Sequence, residues 1–301
     1  MRLTVSARPA QCGVMLKGAM MKLNALLVSA LALAACQSAG EVAKGPKPSK
    51  ELMLYAMDCG RFHLKDAAAF SGDGAYKGQE RYMVDPCYVI RSPKGDLIWD
   101  TGVPASTPAN PDDPFAARQP QKLVDELAQL GLKPTDIKFV SFSHTHFDHA
   151  GNGSMFASST FIVDEKERAW MFRDDARKSK DFPDWAGLET AKTITMKGEA
   201  DYDVFGDGTV IMVAAHGHTP GHRVLLVHLK KSGSIILAGD MWHLAEARAK
   251  RTVPTFNTDK AETLASMDKV EALAKKTNAR VVRQHVVEDF DALPKFPAAL
   301  D

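Results

Sequence analysis

One segment of six residues carries four metal-capable side chains and constrains the chain more than any other feature. It reads His144-Thr145-His146-Phe147-Asp148-His149. Imidazole is the commonest metal-ligating side chain, and zinc also accepts carboxylate oxygens. A polar cluster on an ordinary loop is the alternative, but the density of ligand types favours a metal site.

The residues around this segment explain its spacing. Residues 137–143 are β-branched or aromatic at several positions, which predicts a strand. Because alternate side chains of an extended chain share a face, His144 and His146 should point the same way where the strand ends. Asp148 and His149 follow as the chain turns at residues 150–153. The four side chains can therefore face two metal positions.

Three more segments place metal-capable groups after predicted strands. The apolar run 210–213 precedes the segment His216 to His222, which contains His218, and the run 235–239 precedes Asp240. A third predicted strand, 281–285, ends on His285. This recurrence indicates that several strand ends contribute to one metal site.

With these segments the sequence resembles the metallo-β-lactamase superfamily, whose ligands follow the pattern HxHxDH…H…D…H. The resemblance extends from about Leu52 to the C-terminus. It implies an α/β protein with the four-layer αββα fold, in which two mixed sheets are sandwiched between helices. It also implies a dinuclear site on loops at one sheet edge, with two divalent ions that we expect to be zinc.

The resemblance also implies a role for each ligand. One metal would be bound by His144, His146 and His218. The second would be bound by Asp148, His149 and His285, and Asp240 would bridge the two. Asp100, in the strand end Trp99-Asp100-Thr101-Gly102, would support the site from behind the ligands.

Within the superfamily the chain looks most like the N-acyl-homoserine lactonases. The spacing from His218 to Asp240 to His285 agrees, as do residues 54–60, 87–90 and 130–137. Those lactonases commonly carry a tyrosine three residues after the bridging aspartate, where it polarises the substrate carbonyl. Here that position is His243, which can still donate a hydrogen bond.

The resemblance implies a hydrolase that opens a lactone ring, an N-acyl-homoserine lactone above all. A metal-bridging hydroxide would attack the carbonyl, Asp148 would carry the proton to the leaving oxygen, and His243 would steady the carbonyl. A β-lactamase, or another ester or thioester hydrolase of the same fold, remains an alternative. So does a non-enzymatic lipoprotein that binds metal.

The N-terminal residues predict export. Lys22 precedes an apolar run, 23–35, that is too short to span a bilayer comfortably and is typical of a signal peptide. Leu33-Ala34-Ala35-Cys36 resembles a bacterial lipobox, so a lipidated Cys36 would contact the membrane, although an ordinary secretion signal is the alternative. Translation would then start at Met20 or Met21.

We divide the chain into a targeting segment (1–36), a flexible tether (37–50) and a catalytic domain (51–301). The expected location is the cell envelope, lipid-anchored on the outer membrane or periplasmic side, or else secreted or periplasmic. In that environment Cys59 and Cys87 can pair, but two buried thiols are equally compatible with the sequence. A homodimer remains open.

The overall charge argues against a nucleic-acid partner, and local sequence patterns predict the remaining helices and strands. The net charge of +1 gives no support to nucleic-acid binding. Apolar residues at helical spacing predict helices over 120–130 and 258–277. Other predicted elements are strands over 51–57 and 86–100, a hairpin over 224–238, and cleft-lining or surface loops over 103–121 and 165–207. His216, His222 and His228 are interpreted as supporting or structural residues.

Overall fold

The computed structural model describes residues 49–107 and 122–301. The predicted targeting segment with Cys36, almost all of the predicted tether and most of the proline-rich loop therefore lie outside the described residues. Within the described ranges, no helix is both long and apolar enough to cross a membrane.

The first sheet has six strands in the order of the chain. The pairs β1–β2 and β2–β3 are antiparallel, whereas β3 to β6 run parallel. The strands are β1 (Met53–Leu64), β2 (Arg81–Arg91), β3 (Leu97–Trp99), β4 (Phe139–Ser141), β5 (Thr160–Asp164) and β6 (Thr193–Met196).

The second sheet has five strands in the order β11-β10-β9-β8-β7. Its pairs are antiparallel except β10–β11, and the predicted hairpin over 224–238 is confirmed as β9–β10. The strands are β7 (Tyr202–Asp203), β8 (Val210–Ala214), β9 (Arg223–Leu229), β10 (Gly233–Leu237) and β11 (Arg280–Val282).

Six α-helices surround the sheets in the described residues, and both predicted helices are confirmed as α1 and α5. The side chain of Asp259 caps α5 by accepting a hydrogen bond from the backbone nitrogen of Glu262. The helices are α1 (Leu123–Gln129), α2 (Phe147–Ala150), α3 (Glu165–Met171), α4 (Ala247–Lys250), α5 (Lys260–Thr277) and α6 (Val287–Asp291).

Alternating side chains of β9 pack into two different layers. Leu225 and Val227 lie in the apolar core between the two sheets, which also contains Tyr88 of β2. Val224 and Leu226 point to the opposite face and pack with apolar residues of α5. This face is therefore covered by a helix.

The first sheet is covered in the same way on its outer face. Val89 of β2 and Ile98 of β3 pack there with Leu123 and Leu127 of α1. The order of layers is thus helix, sheet, sheet, helix, and the predicted αββα fold is confirmed.

The strand β1 ends at Leu64, beyond the predicted residue 57, and β2 begins at Arg81, before the predicted residue 86. The predicted strand 86–100 starts at a proline, but in the structure Pro86 lies inside β2, opposite Asp58. The pairing register shifts just beyond Asp58, and such a bulge accommodates a residue that cannot donate to the ladder. Cys59 and Cys87, which the sequence left open, form a disulfide at this point with Cα atoms 5.7 Å apart.

Candidate metal centre

The loops that follow four strands meet at one edge of the sandwich, and all seven predicted ligands lie on them. The segment 144–149 follows β4, His218 follows β8, Asp240 follows β10 and His285 follows β11. One prediction is wrong in detail, because β11 ends at Val282 and His285 lies beyond the strand. Carboxyl ends of strands converge, so distant parts of the sequence come together here.

Three imidazoles and one carboxylate form the first metal-capable group. His146 Nδ1 lies 2.8 Å from His144 Nε2 and 3.2 Å from His218 Nε2. Asp240 Oδ2 lies 3.5 Å from His144 Nε2 and 3.3 Å from His218 Nε2. The four ligand atoms therefore face a common point.

Asp148, His149 and His285 form the second group. The Asp148 carboxylate lies 3.9 Å from His149 Nε2 and 3.7 Å from His285 Nε2. Asp240 Oδ1 lies 3.3 Å from His149 Nε2 and 3.0 Å from His285 Nε2. One oxygen of Asp240 thus faces each group, which is the position that a bridging ligand requires.

The protonation states of two imidazoles of the first group and of the bridging carboxylate suit metal binding. Burial lowers the pKa of His144 and His146 well below the usual value, so both rings are neutral and can coordinate a cation. Burial alone would raise the pKa of Asp240, but the imidazoles around it, His243 and His285 foremost, lower it well below the usual value. The bridging position therefore holds a carboxylate.

Two buried atoms between the groups show that a cation fits. His149 Nε2 and Asp240 Oδ1 make no hydrogen bond within the described residues, although both are buried. Buried polar atoms that make no hydrogen bond are costly, and a divalent cation between Asp240 Oδ1 and the nearby His149 Nε2 would satisfy both. A donor set of imidazole and carboxylate groups suits zinc and related divalent ions. The two groups therefore indicate a dinuclear divalent metal site.

Asp100 supports the second group, as predicted. Its Oδ2 lies 3.1 Å from His149 Nδ1, and its Oδ1 accepts a hydrogen bond from the backbone nitrogen of Ser143 at 2.6 Å. The first contact orients the ring of His149 so that Nε2 faces the site. Asp100 has a φ of 56°, a left-handed conformation that non-glycine residues adopt at a cost.

His222 and His216 lie behind the ligands, where the sequence placed them. His222 Nδ1 lies 3.0 Å from the carbonyl oxygen of Ala215, and its Nε2 accepts a hydrogen bond from the backbone nitrogen of Asp240 at 3.1 Å. A side chain at Gly239 would collide with this contact, because a Cβ there would lie 2.7 Å from His222 Nε2. His222 therefore holds the loop of the bridging aspartate.

His216 points away from both groups. Its Nε2 lies 3.1 Å from Asp164 Oδ2 and its Nδ1 lies 3.1 Å from Glu199 Oε1. Glu262 completes a third cluster of metal-capable groups, but Lys269 Nζ lies 2.8 Å from Glu199 Oε2 and supplies positive charge there. We therefore assign His216 a supporting role and not the role of a ligand in either group.

Glu167 is a site residue that sequence reasoning missed. Its buried carboxylate accepts hydrogen bonds from the backbone nitrogens of Thr145 and Gly221 and from the Thr219 hydroxyl, at 2.6, 2.9 and 2.7 Å. It therefore links the loop after β4, which carries His144 and His146, to the loop that carries His218. An acidic residue in an amphipathic helix gives no signal of this role.

An apolar cavity of about 350 Å³ opens beside the two groups. The ligands and His243 provide the polar part of its lining among the described residues. The lining consists of Phe62, Leu64, Phe70, Met83, His146, Phe147, Asp148, Asp240, His243, Phe256 and His285. No residue of the predicted cleft-lining stretch 165–207 belongs to this set, and residues 108–121 of the other predicted loop lie outside the described part.

His243 lies between the bridging aspartate and this cavity. Its Nε2 is 3.0 Å from Asp240 Oδ2, and its ring packs against the rings of Phe70 and Phe256. Burial lowers its pKa to about 4, so the ring is neutral. His228, by contrast, bonds to Ser234 in the β9–β10 hairpin, away from the site.

Known proteins share this sequence pattern and fold. The family model for the metallo-beta-lactamase superfamily matches residues 85–285. The N-acyl homoserine lactonase AttM of Azorhizobium caulinodans is 30% identical over 265 residues, covering 83% of this chain and 97% of that protein.

Solved structures agree. The crystal structure of a quorum-quenching N-acyl homoserine lactone lactonase aligns with a TM-score of 0.70 at 25% identity, over 84% of this chain and 99% of that one. AidC, a dizinc quorum-quenching lactonase, has the same fold, with a TM-score of 0.59 at 17% identity over 85% and 92% of the two chains. The chain therefore belongs to the metallo-beta-lactamase superfamily and is a metal-dependent hydrolase.

Proposed function

We propose that this hydrolase opens the ring of lactones, and of N-acyl-homoserine lactones in particular. The observation that carries the proposal is the position of Asp240, whose two oxygens face two groups of metal-capable side chains beside an apolar cavity. Relatives that match most of the chain bear the name N-acyl homoserine lactonase. The cavity volume lies at the lower end of the ~300–1,000 Å³ range of small-molecule sites.

Two divalent ions, which we propose to be zinc, would supply a hydroxide nucleophile near neutral pH and polarise the carbonyl oxygen. The protein provides the rest. The apolar wall around Phe70 and Phe256 takes the acyl chain and excludes water. Asp148 lines the cavity, where its carboxylate can carry a proton to the leaving alkoxide oxygen.

His243 has the remaining role at the cavity. As a neutral imidazole beside Asp240, it can donate one hydrogen bond, and we assign that bond to the lactone carbonyl oxygen. A tyrosine hydroxyl would make the same type of bond. The substitution thus changes the reach and the acidity of the donor.

The test is a metal analysis combined with a pH-stat assay on the purified chain. We expect about two metal ions per chain and one proton released for each ring of N-hexanoyl-homoserine lactone that opens. Turnover of a chromogenic cephalosporin without lactone opening would show a β-lactamase instead. Tight binding of two metals without turnover of lactones, cephalosporins, esters or thioesters would favour the non-enzymatic alternative.

We also propose that the protein is lipid-anchored in the cell envelope through Cys36. The lipobox-like segment supports this, and so does the disulfide between Cys59 and Cys87, because disulfides persist in oxidising compartments. Fractionation of cells that express the chain and its Cys36→Ser variant tests the proposal. We expect the first in the membrane fraction and the second in a soluble fraction; equal distribution would refute it.

A further inference from the structure

We propose that Asp85 and Gln284 act as a positioning pair that holds His285 in place for the second cation. The proposal rests on the dinuclear site argued above. Neither residue belongs to the metal-capable groups or to the lining of the cavity.

The position of His285 depends on contacts with β2. Because β11 ends at Val282, the sheet ladder does not fix the residues after it. Gln284 Nε2 donates hydrogen bonds to the carbonyl oxygen of Pro86 at 2.5 Å and to Asp85 Oδ1 at 3.2 Å. His285 Nδ1 lies 3.0 Å from the carbonyl oxygen of Val84, which leaves Nε2 to face the site.

The carboxyl group of Asp85 is energetically unfavourable at this buried position. It is fully buried, and its Oδ2 has no hydrogen-bond partner within the described residues. Burial raises its pKa well above the usual value, and the charge of Asp148 adds to this.

The backbone nearby leaves room for this carboxyl group. Gly60 lies in the irregular stretch of β1, and a Cβ there would sit 3.2 Å from Asp85 Oδ2 and 2.5 Å from a methyl group of Val103. The imidazoles of His149 and His285 act electrostatically on Asp85. With its pKa raised in this way, the carboxyl group acts on Gln284 as a hydrogen-bond acceptor and not as a buried charge.

Two variants separate positioning from a purely structural role. Asp85→Asn keeps an acceptor for Gln284, and Asp85→Leu removes it. We expect the metal-free melting temperature to stay the same or to rise in each variant. The affinity for the second equivalent of Co²⁺, measured by titration with absorption detection, should stay nearly unchanged in Asp85→Asn and fall about 10- to 100-fold in Asp85→Leu.

A third variant and a control complete the experiment. Gln284→Leu should also weaken binding of the second Co²⁺ equivalent, because the segment that carries His285 loses its hydrogen bonds to β2. Asp96→Asn removes another buried carboxylate of the first sheet, paired with Arg91 at 3.2 Å, and should lower the melting temperature without changing Co²⁺ binding.

The outcomes are distinct. If Asp85→Leu and Gln284→Leu bind two Co²⁺ equivalents with unchanged affinity, the positioning role is wrong. It is also wrong if the second Co²⁺ equivalent binds more weakly only in variants whose metal-free melting temperature is lower. Fewer than two equivalents in the unsubstituted chain would instead overturn the dinuclear site itself.

Discussion

The carboxylate of Glu167 accepts a hydrogen bond from the backbone nitrogen of Thr145 at 2.6 Å. Thr145 lies between His144 and His146, so this bond acts directly on the spacing of two ligands of the first group. The same carboxylate bonds to Thr219 in the loop of His218. One buried side chain of α3 therefore sets the separation of the two loops.

Replacement of Glu167 should weaken the first group. In Glu167→Ala the Thr145 and Gly221 nitrogens lose a buried acceptor, at a cost of about 1–3 kcal/mol each. We expect the free energy of unfolding to fall by about 3 kcal/mol in denaturant titrations. Metal affinity should fall about 10- to 100-fold, measured by competition with a chromophoric chelator.

The matched control is Glu165→Gln, on the same helix but exposed. It should change the free energy of unfolding by less than about 0.5 kcal/mol and leave metal affinity intact. Normal metal binding in Glu167→Ala would show that the first group does not depend on this contact.

Asp240→Asn tests the bridging carboxylate. Removal of its charge takes a shared ligand from both groups, so we expect kcat/KM for N-hexanoyl-homoserine lactone to fall at least ~100-fold and the metal content to fall below two ions per chain. Asp268→Asn, at an exposed ion pair with Arg251, is the control and should behave like the unsubstituted chain. An unaffected rate in Asp240→Asn would refute a mechanism that depends on a bridging carboxylate.

His243→Phe and His243→Tyr test the hydrogen bond assigned to His243. Phenylalanine fills the same space without a donor, so kcat should fall about 10- to 100-fold while the metal content stays unchanged. Tyrosine restores a donor and should recover most of that loss. Steady-state kinetics with metal analysis distinguish these outcomes, and equal kcat values for all three proteins would refute the assignment.

Glu126 gives a prediction about pH and stability. Burial raises its pKa to about 8, with a further contribution from the charge of Asp58. Below pH ~4.5 the carboxyl group is protonated in both folded and unfolded chains and costs nothing. Between pH ~4.5 and ~8 only the unfolded chain ionises, so stability falls by up to about 1.4 kcal/mol per pH unit, and the loss is complete above the folded pKa.

Glu126→Gln should therefore be more stable than the unsubstituted chain at pH 9, by a few kcal/mol, and gain little at pH 4.5. Thermal unfolding at the two pH values measures the difference. Asp125→Asn, one residue away and exposed, should show no such pH-dependent gain. A gain of equal size at both pH values would contradict a raised pKa.

Local sequence was sufficient for the elements whose chemistry is local. Apolar residues at helical spacing predicted α1 and α5 because a helix face repeats every three to four residues. Two apolar runs joined by the turn residues 230–234 predicted the β9–β10 hairpin. The end of β1 and the start of β2 were not predicted because they come from mutual pairing across the irregularity near Asp58, not from their own composition.

The sequence by itself determined the identity of the metal-capable side chains. Four of them lie within the six residues His144 to His149, and the remaining groups follow recognisable strands. Only the tertiary structure decided which groups face each oxygen of Asp240, and which buried side chains hold their loops. Glu167 contacts a loop 22 residues before it and another 52 residues after it, and Gln284 contacts Asp85 across 199 residues. Such contacts arise from the packing of strand ends at one sheet edge, which no local pattern encodes.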